Sequence, residues 1–162
     1  MALILIIILI VIATIAITLA KNNKTGKFKY NPEEEWPFER KKILTNPEQA
    51  LYLKLCEALP NHYIFSQVQL SQLIQVKKGN DYKAWFNRIN RMSADFVITD
   101  KNFNTIEVIE LDDKSHEKPD RIEADKKKDK ALASAGIKTI RWKVNAAPTV
   151  DEIKMALNQV EK

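Results

Sequence analysis

The chain opens with an unbroken apolar run, Ala2 to Ala20, whose only polar side chains are two threonines. As a helix rising 1.5 Å per residue it reaches roughly 28 Å, close to the hydrocarbon thickness of a bilayer. In lipid, helix is the single-segment form that satisfies its own backbone. Residues 2–20 therefore predict a transmembrane anchor. A cleaved signal peptide ending at Thr18-Leu19-Ala20 is the competing reading. Against it, no basic stretch precedes the run, which is longer than the usual hydrophobic region of such peptides. Residues 21–42 read as a juxtamembrane tether, with lysines, Pro32, Glu33-Glu34-Glu35, Pro37 and Arg40-Lys41-Lys42. Trp36 and Phe38 lie either at the headgroup level or against the folded domain.

From residue 43 to residue 162 the pattern is that of one folded domain. Thr45 and Glu48 have capping-box spacing and Pro47 suits a first helical turn. Ala50, Leu51, Leu53, Leu55, Ala58 and Leu59 continue as a helical apolar stripe that Pro60 ends. Tyr63, Phe65, Val68 and Leu70 suggest a strand from His62 to about Leu70. Asp81 to Met92 reads as a helix with Trp85, Phe86 and Ile89 inward and Lys83, Arg88 and Arg91 exposed. Strands over Ala94–Thr99 and Thr105–Asp112 flank Asp100-Lys101-Asn102-Phe103-Asn104, a turn-forming sequence. Arg121 to Ala135 is a charged helix stopping at Gly136, a plausible C′ residue. Ile137–Lys143 is a last strand. Thr149 and Glu152 open a terminal helix through Ile153, Ala156, Leu157 and Val160. The order predicts an α/β domain with a mixed sheet flanked by helices, and no internal repeat.

Composition narrows the classes. At 29% charged and 45% apolar the chain is not wholly disordered, and three glycines exclude a collagen-like sequence. A single cysteine, Cys56, excludes an intramolecular disulfide framework and a multi-cysteine zinc module. The net charge is +5, but Lys21, Lys24, Lys27 and Lys29 supply four of those charges, leaving residues 31–162 at +1. Those lysines follow the apolar run and place the C-terminal side in the cytoplasm, with the N-terminus outside. A near-neutral domain does not by itself announce a nucleic-acid partner.

The two central strands carry the chemistry. If their turn is centred between Asn102 and Phe103, Asp95 lies opposite Glu110. Alternation then puts Asp95, Val97 and Thr99 on one face with Ile106, Val108, Glu110 and Asp112. Like charges directly opposed across a hairpin are destabilising unless a cation sits between them. Oxygen-only ligands suit Mg²⁺ or Mn²⁺. The other reading is a solvated face bearing ordinary acids, although apolar runs flank both residues.

Ser93-Ala94-Asp95-Phe96-Val97-Ile98 and Val108-Ile109-Glu110-Leu111-Asp112-Asp113-Lys114-Ser115-His116 precede Asp125, Lys128-Asp129, Leu132, Gly136 and Ile140-Arg141. Together they resemble the bacterial family called domain of unknown function 2726, over about Leu44 to Trp142. That family is similar to very-short-patch-repair and restriction-type endonucleases of the PD-(D/E)xK nuclease fold. The resemblance implies an αβββαβ core in which Asp95 is a metal ligand and Glu110 the acid of the second half-motif. Asp112 stands where the nuclease pattern has its lysine, and Lys114 or Lys128 is its possible substitute. His116 matches a histidine suited to general acid or base work, or is a loop histidine bonded to an acid. Glu48 either reaches the metal or only caps its helix. Asp125 and Asp129, at i and i+4, are expected to support lysines. Arg141 contacts phosphate or pairs with a carboxylate.

The leading functional expectation is a metal-dependent phosphodiesterase at the inner membrane, held in the lipid bilayer by residues 2–20 and acting on nucleic acid, DNA first. Lys83, Arg88, Arg91 and Lys126-Lys127-Lys128 would hold the backbone. A non-catalytic nuclease-fold module for binding at the membrane is the runner-up. A scaffold using the apolar stripe of the last helix is a third reading.

Overall fold

The computed structural model describes residues 2–22, 30–113 and 119–158, and the chain divides into two units, Met1–Arg40 and Lys41–Lys162. In the first, helix α1 covers Ala2–Asn22. Its described side chains, Ile4 and residues 6–17, are exposed. Among the described residues no helix is long and apolar enough to cross a membrane. Trp36 and Phe38 are exposed, with ring centroids 5.6 Å apart.

The second unit begins as its capping sequence predicts. Helix α2, Asn46–Ala58, follows Thr45, whose N–H and hydroxyl both donate to Glu48 Oε2, at 2.6 and 2.7 Å. Leu51, Leu55 and Ala58 are buried, while Leu53 is exposed and drops out of the expected stripe. Strand β1 is Tyr63–Gln69, and the sequence pattern gave no warning of helix α3, Leu70–Leu73, that follows it. Helix α4 covers Tyr82–Phe86 only, capped by Asp81 Oδ1 accepting from Ala84 N. Beyond it the N–H groups of Arg88 and Ile89 bond carbonyls three residues back, so the helix expected to reach Met92 tightens into turns. Ile89 turns inward, but Trp85 is 48% exposed and lies under the Arg88 guanidinium at 4.2 Å.

Strands β2, Ser93–Thr99, and β3, Thr105–Asp112, form the predicted hairpin. Its turn is held by Asp100 Oδ1, which accepts from Asn102 N and Asn104 N at 2.8 Å each. Helix α5, Pro119–Ser134, leads through Gly136 at φ +77° to strand β4, Lys138–Lys143. Helix α6, Val150–Asn158, starts at the second capping box, where Thr149 N donates to Glu152 Oε2 at 2.8 Å.

The four strands lie in the order β1-β2-β3-β4. The first three are antiparallel neighbours, and β4 joins β3 in parallel after the α5 crossover. One core packs Phe96, Ile98, Ile109 and Leu111 against Leu51 and Leu55 of α2 and Ile153 and Leu157 of α6. Ile153 and Leu157 of the α6 apolar stripe are thereby spent inside the domain, and Val160 lies outside the described residues. The second core joins Val97, Val108 and Ala94 to Leu132 of α5, with Leu70 and Ile89.

The sheet breaks its own alternation at one level. Ser66 pairs with Phe96 and Val68 with Ala94, but Gln67 and Asp95 between them form no pair. Gln67 has φ +54°, a left-handed conformation that costs a non-glycine residue about 1–2 kcal/mol. Across the gap the strands change faces. Ile64 and Phe96 pack in the core under α2 and α6, whereas Val68 and Ala94, an even number of residues away, pack in the other.

Candidate functional site

The break in the sheet opens onto a cleft of about 460 Å³ between the start of α2 and the face of α5. Glu48, Asp95, Glu110 and Lys128 line it, from four different elements. The register that brings the two strand acids together is the expected one for three pairs: Phe96 with Ile109, Val97 with Val108 and Ile98 with Glu107. It slips by one between Ile98 and Thr99, so Thr99 faces Thr105 rather than Ile106. Phe103, at φ +65° in the turn, takes up the slack. At the other end Asp95 leaves the ladder, and its Oδ2 accepts the Leu111 N–H at 2.9 Å.

Helix α5 delivers the cation. Leu132 is fully buried against the sheet, and Lys128, one turn earlier on the same face, is carried over Glu110. Its ammonium donates to Glu110 Oε2 at 2.5 Å and to the Ser93 carbonyl at 2.9 Å. Glu110 is 1% exposed, and its second oxygen, Oε1, is buried with no hydrogen-bond partner among the described residues. Burial pushes the Glu110 carboxyl up to about 7; Lys128 opposes this and the nearby Asp95 charge adds to it. Asp95 is also raised, first by burial. The Leu111 N–H and Lys128 pull it back, and Glu48 and Asp112 push it further. Two acids and a lysine are thus packed where charge is expensive.

Asp112 has a different engagement. Arg141 Nη1 donates to Asp112 Oδ1 at 2.9 Å, and its Nη2 reaches Asp129 Oδ1 at 2.9 Å and Asp125 Oδ1 at 3.5 Å. Asp125 and Asp129 thus both engage the arginine, and against the effect of burial Asp129, Asp112 and Asp125 hold Arg141 well above its usual range. Of the two readings of Arg141, pairing with carboxylates is the one observed. Of the two candidate lysines, Lys128 stands at the acids, while Lys114 and His116 lie outside the described residues. Glu48 keeps its capping role through Oε2, and its Oε1 accepts from Gln67 Nε2 at 3.0 Å. Arg91 reaches the cleft. Arg88 is occupied by Trp85, and Lys127 pairs with Glu123 along its own helix.

Sequence reasoning missed Gln67 and Arg121. Arg121 was legible as the first of 121, 125 and 128, a single helical face that now lines the cleft. Nothing in the sequence marks Gln67. Among the described residues no group of three or more His, Cys, Asp or Glu side chains is arranged to hold a metal ion. The donors that do converge are carboxylate oxygens, the ligand type Mg²⁺ and Mn²⁺ take.

Comparison with other proteins gives the chain a family. The profile of the family described as "Protein of unknown function (DUF2726)" matches residues 40–160. The chain belongs to the DUF2726 family. The match extends past both ends of the stretch that carried the resemblance and takes in α2 through α6. An uncharacterized protein of Haemophilus influenzae is 29% identical over 112 residues, 67% of this chain and 57% of that protein. The chain thus spans a little over half the length of that relative. No solved structure matches.

Proposed function

We propose that this DUF2726 protein is a membrane-anchored, metal-dependent phosphodiesterase acting on nucleic acid, DNA in the first instance. The observation that carries the reading is Glu110: a buried carboxylate with one oxygen on Lys128, the other without a partner among the described residues, and Asp95 on the neighbouring strand. The order α2-β1-α3-α4-β2-β3-α5-β4, in which two short helices interrupt the strand run and β4 is parallel to β3, supports a PD-(D/E)xK nuclease-like core.

Asp95 and Glu110, with Glu48 beside them, would hold Mg²⁺ or Mn²⁺. Such an ion, when bound, lowers the pKa of a water and neutralises phosphate oxygens. Lys128 takes the place of the lysine that Asp112 displaces. Its ammonium is fixed at the acids by Glu110 and the Ser93 carbonyl, where it stabilises charge developing on the phosphate. Asp112 acts indirectly, by helping to hold Arg141. Arg91 and Arg121 at the cleft give sequence-independent contacts to the nucleic-acid backbone. His116, close in sequence to the end of β3, is assigned general acid or base duty. The apolar stretch 2–20 anchors the domain, with Lys21, Lys24, Lys27 and Lys29 on the cytoplasmic side.

The test is incubation of the full-length protein in detergent with single- and double-stranded DNA and RNA, in Mg²⁺, Mn²⁺ or EDTA. Cleavage of at least one substrate that EDTA abolishes is the expected result. A binding module is the second reading, favoured by Asp112 and its ion pair standing at the lysine position. Salt-sensitive binding with no cleavage in any metal identifies it and removes the enzymatic reading.

A further inference from the structure

The basic charge of the domain is not spread evenly. Residues 31–162 carry +1, yet Lys77, Lys78, Lys83, Arg88 and Arg91 set against Asp81 alone give residues 77–91 a charge of +4, which leaves −3 on the rest. All five cations are exposed. Elsewhere cations have acids within reach: Lys127 pairs with Glu123, Lys128 with Glu110 and Lys138 with Glu107. On this segment the single carboxylate is engaged by its own helix, since Asp81 Oδ1 caps α4 by accepting from Ala84 N at 3.0 Å.

Aromatic rings lie among these charges, outside the core, while Ile89 ties the segment to it. Tyr82 is 62% exposed and Trp85 48%. Tyr82 and Phe86 stack at 5.4 Å with their planes 17° apart, and the Arg88 guanidinium lies 4.2 Å from the Trp85 ring centre. Stacking uses the flat face of a guanidinium and leaves the N–H groups around its edge for an anion. Flat rings interleaved with cations fit an unpaired nucleic-acid strand, whose bases stack on the rings while its phosphates meet the cations. A duplex keeps its base faces covered and can use only the cations. The patch also runs into the cleft, which Arg91, Ser93 and Asp95 line. A strand lying on α4 is thereby led to the acids, a continuity that a lipid surface would not need.

We infer that the α4 surface binds the unpaired part of a nucleic acid: Trp85 and Tyr82 stack on its bases, and Lys78, Lys83 and Arg88 meet its phosphates. The protein therefore takes single strands, or single-stranded stretches, in preference to duplex. This rests on the nucleic-acid reading above but not on its metal, so binding is measured without one. Trp85→Leu keeps an apolar side chain and removes the ring, and Trp85→Phe keeps a ring. Lys78→Gln combined with Lys83→Gln removes two charges and leaves the rings in place.

The measurement is fluorescence anisotropy of a labelled oligothymidine strand and of a blunt duplex of the same length, titrated with the full-length protein in zwitterionic detergent and EDTA. The single strand should bind at least about fivefold more tightly than the duplex, the low end for one stacked base. Trp85→Leu should raise the single-strand Kd at least about fivefold and leave the duplex Kd within about twofold, while Trp85→Phe recovers most of the loss. Should Trp85→Leu fail to fold, Tyr82→Leu, at the more exposed ring, is expected to act the same way. The double lysine variant should weaken binding of both and lower the log–log salt slope of the single strand by about 1.4, roughly 0.7 for each phosphate lost. Equal affinity for strand and duplex, an equal Trp85→Leu loss on both or none on the strand, or an unchanged salt slope overturns the inference and leaves the nuclease reading standing. Tryptophan quenching by brominated phosphatidylserine in the same micelles, absent in Trp85→Leu and with no oligonucleotide bound, identifies a lipid-facing surface and overturns it too. Binding of neither nucleic acid overturns this inference and the nucleic-acid reading together, so the two failures are told apart.

Discussion

Ionising Glu110 inside the fold works against its burial, and this has a readable pH dependence. Its carboxyl titrates near 7 when folded and near 4.5 when unfolded. Below about 4.5 both states are protonated and the fold is undisturbed. Between about 4.5 and 7 the unfolded chain gives up the proton first, so stability falls as pH rises; above 7 the loss is complete. At 1.36 kcal/mol per unit the loss is about 3 kcal/mol. Asp95 is shifted the same way and adds to the slope. Glu110→Gln, unfolded thermally in EDTA at pH 4 and pH 8, should match the unsubstituted protein at pH 4 and exceed it at pH 8. Equal Tm at both pH values would mean that Glu110 is not buried as described. Lys128 is the second residue to weigh. Lys128→Met removes the ammonium between Glu110 and Ser93, and cleavage should fall about 100- to 1000-fold, the range for losing one charge-stabilising donor. Activity within tenfold would remove Lys128 from the centre.

Among the elements, the junction of α5 and β4 sets where Lys128 and Arg141 stand. Gly136 has φ +77° and open space around the position of a β-carbon. Gly136→Ala therefore meets no clash and costs only the left-handed conformation, about 1–2 kcal/mol, or roughly 4–8 °C in Tm for a domain of this size. Circular-dichroism melts measure it, and an unchanged Tm would show that the helix ends otherwise. This junction was legible because Gly after a charged helical stretch is a stop signal, and the hairpin was legible because alternation and Asp100 chemistry agree. The shared register of Phe96, Val97 and Ile98 followed from that turn. The slip at Thr99 did not, because it depends on Phe103 being left-handed, which a phenylalanine does not announce. Helix α4 was overread: Trp85 fits an apolar stripe, but Arg88 covers its ring outside the core. Of the site, Asp95 and Glu110 were readable from strand pairing and Lys128 was readable as one of two candidates. The bond from Gln67 to Glu48 was not readable, since no sequence pattern encodes a left-handed Gln67.

At the scale of the whole molecule, the proposed anchor and the proposed enzyme make separate predictions. If residues 2–20 span the bilayer, the full-length protein sediments with membranes, resists carbonate extraction, and shields its C-terminus from protease until the cells are opened. A soluble product beginning near Lys21 would contradict the anchor and leave the site untouched. The site is tested by comparing nucleic-acid cleavage by the unsubstituted protein and by Asp95→Asn, each purified full length in detergent and assayed in Mn²⁺ and in EDTA. Asp95→Asn keeps the shape of the side chain and an oxygen for the Leu111 N–H, but removes the charge a cation needs. The expected result is cleavage by the unsubstituted protein in Mn²⁺ and none by Asp95→Asn in either condition. Equal cleavage by both proteins would place the activity elsewhere and contradict the carboxylate centre.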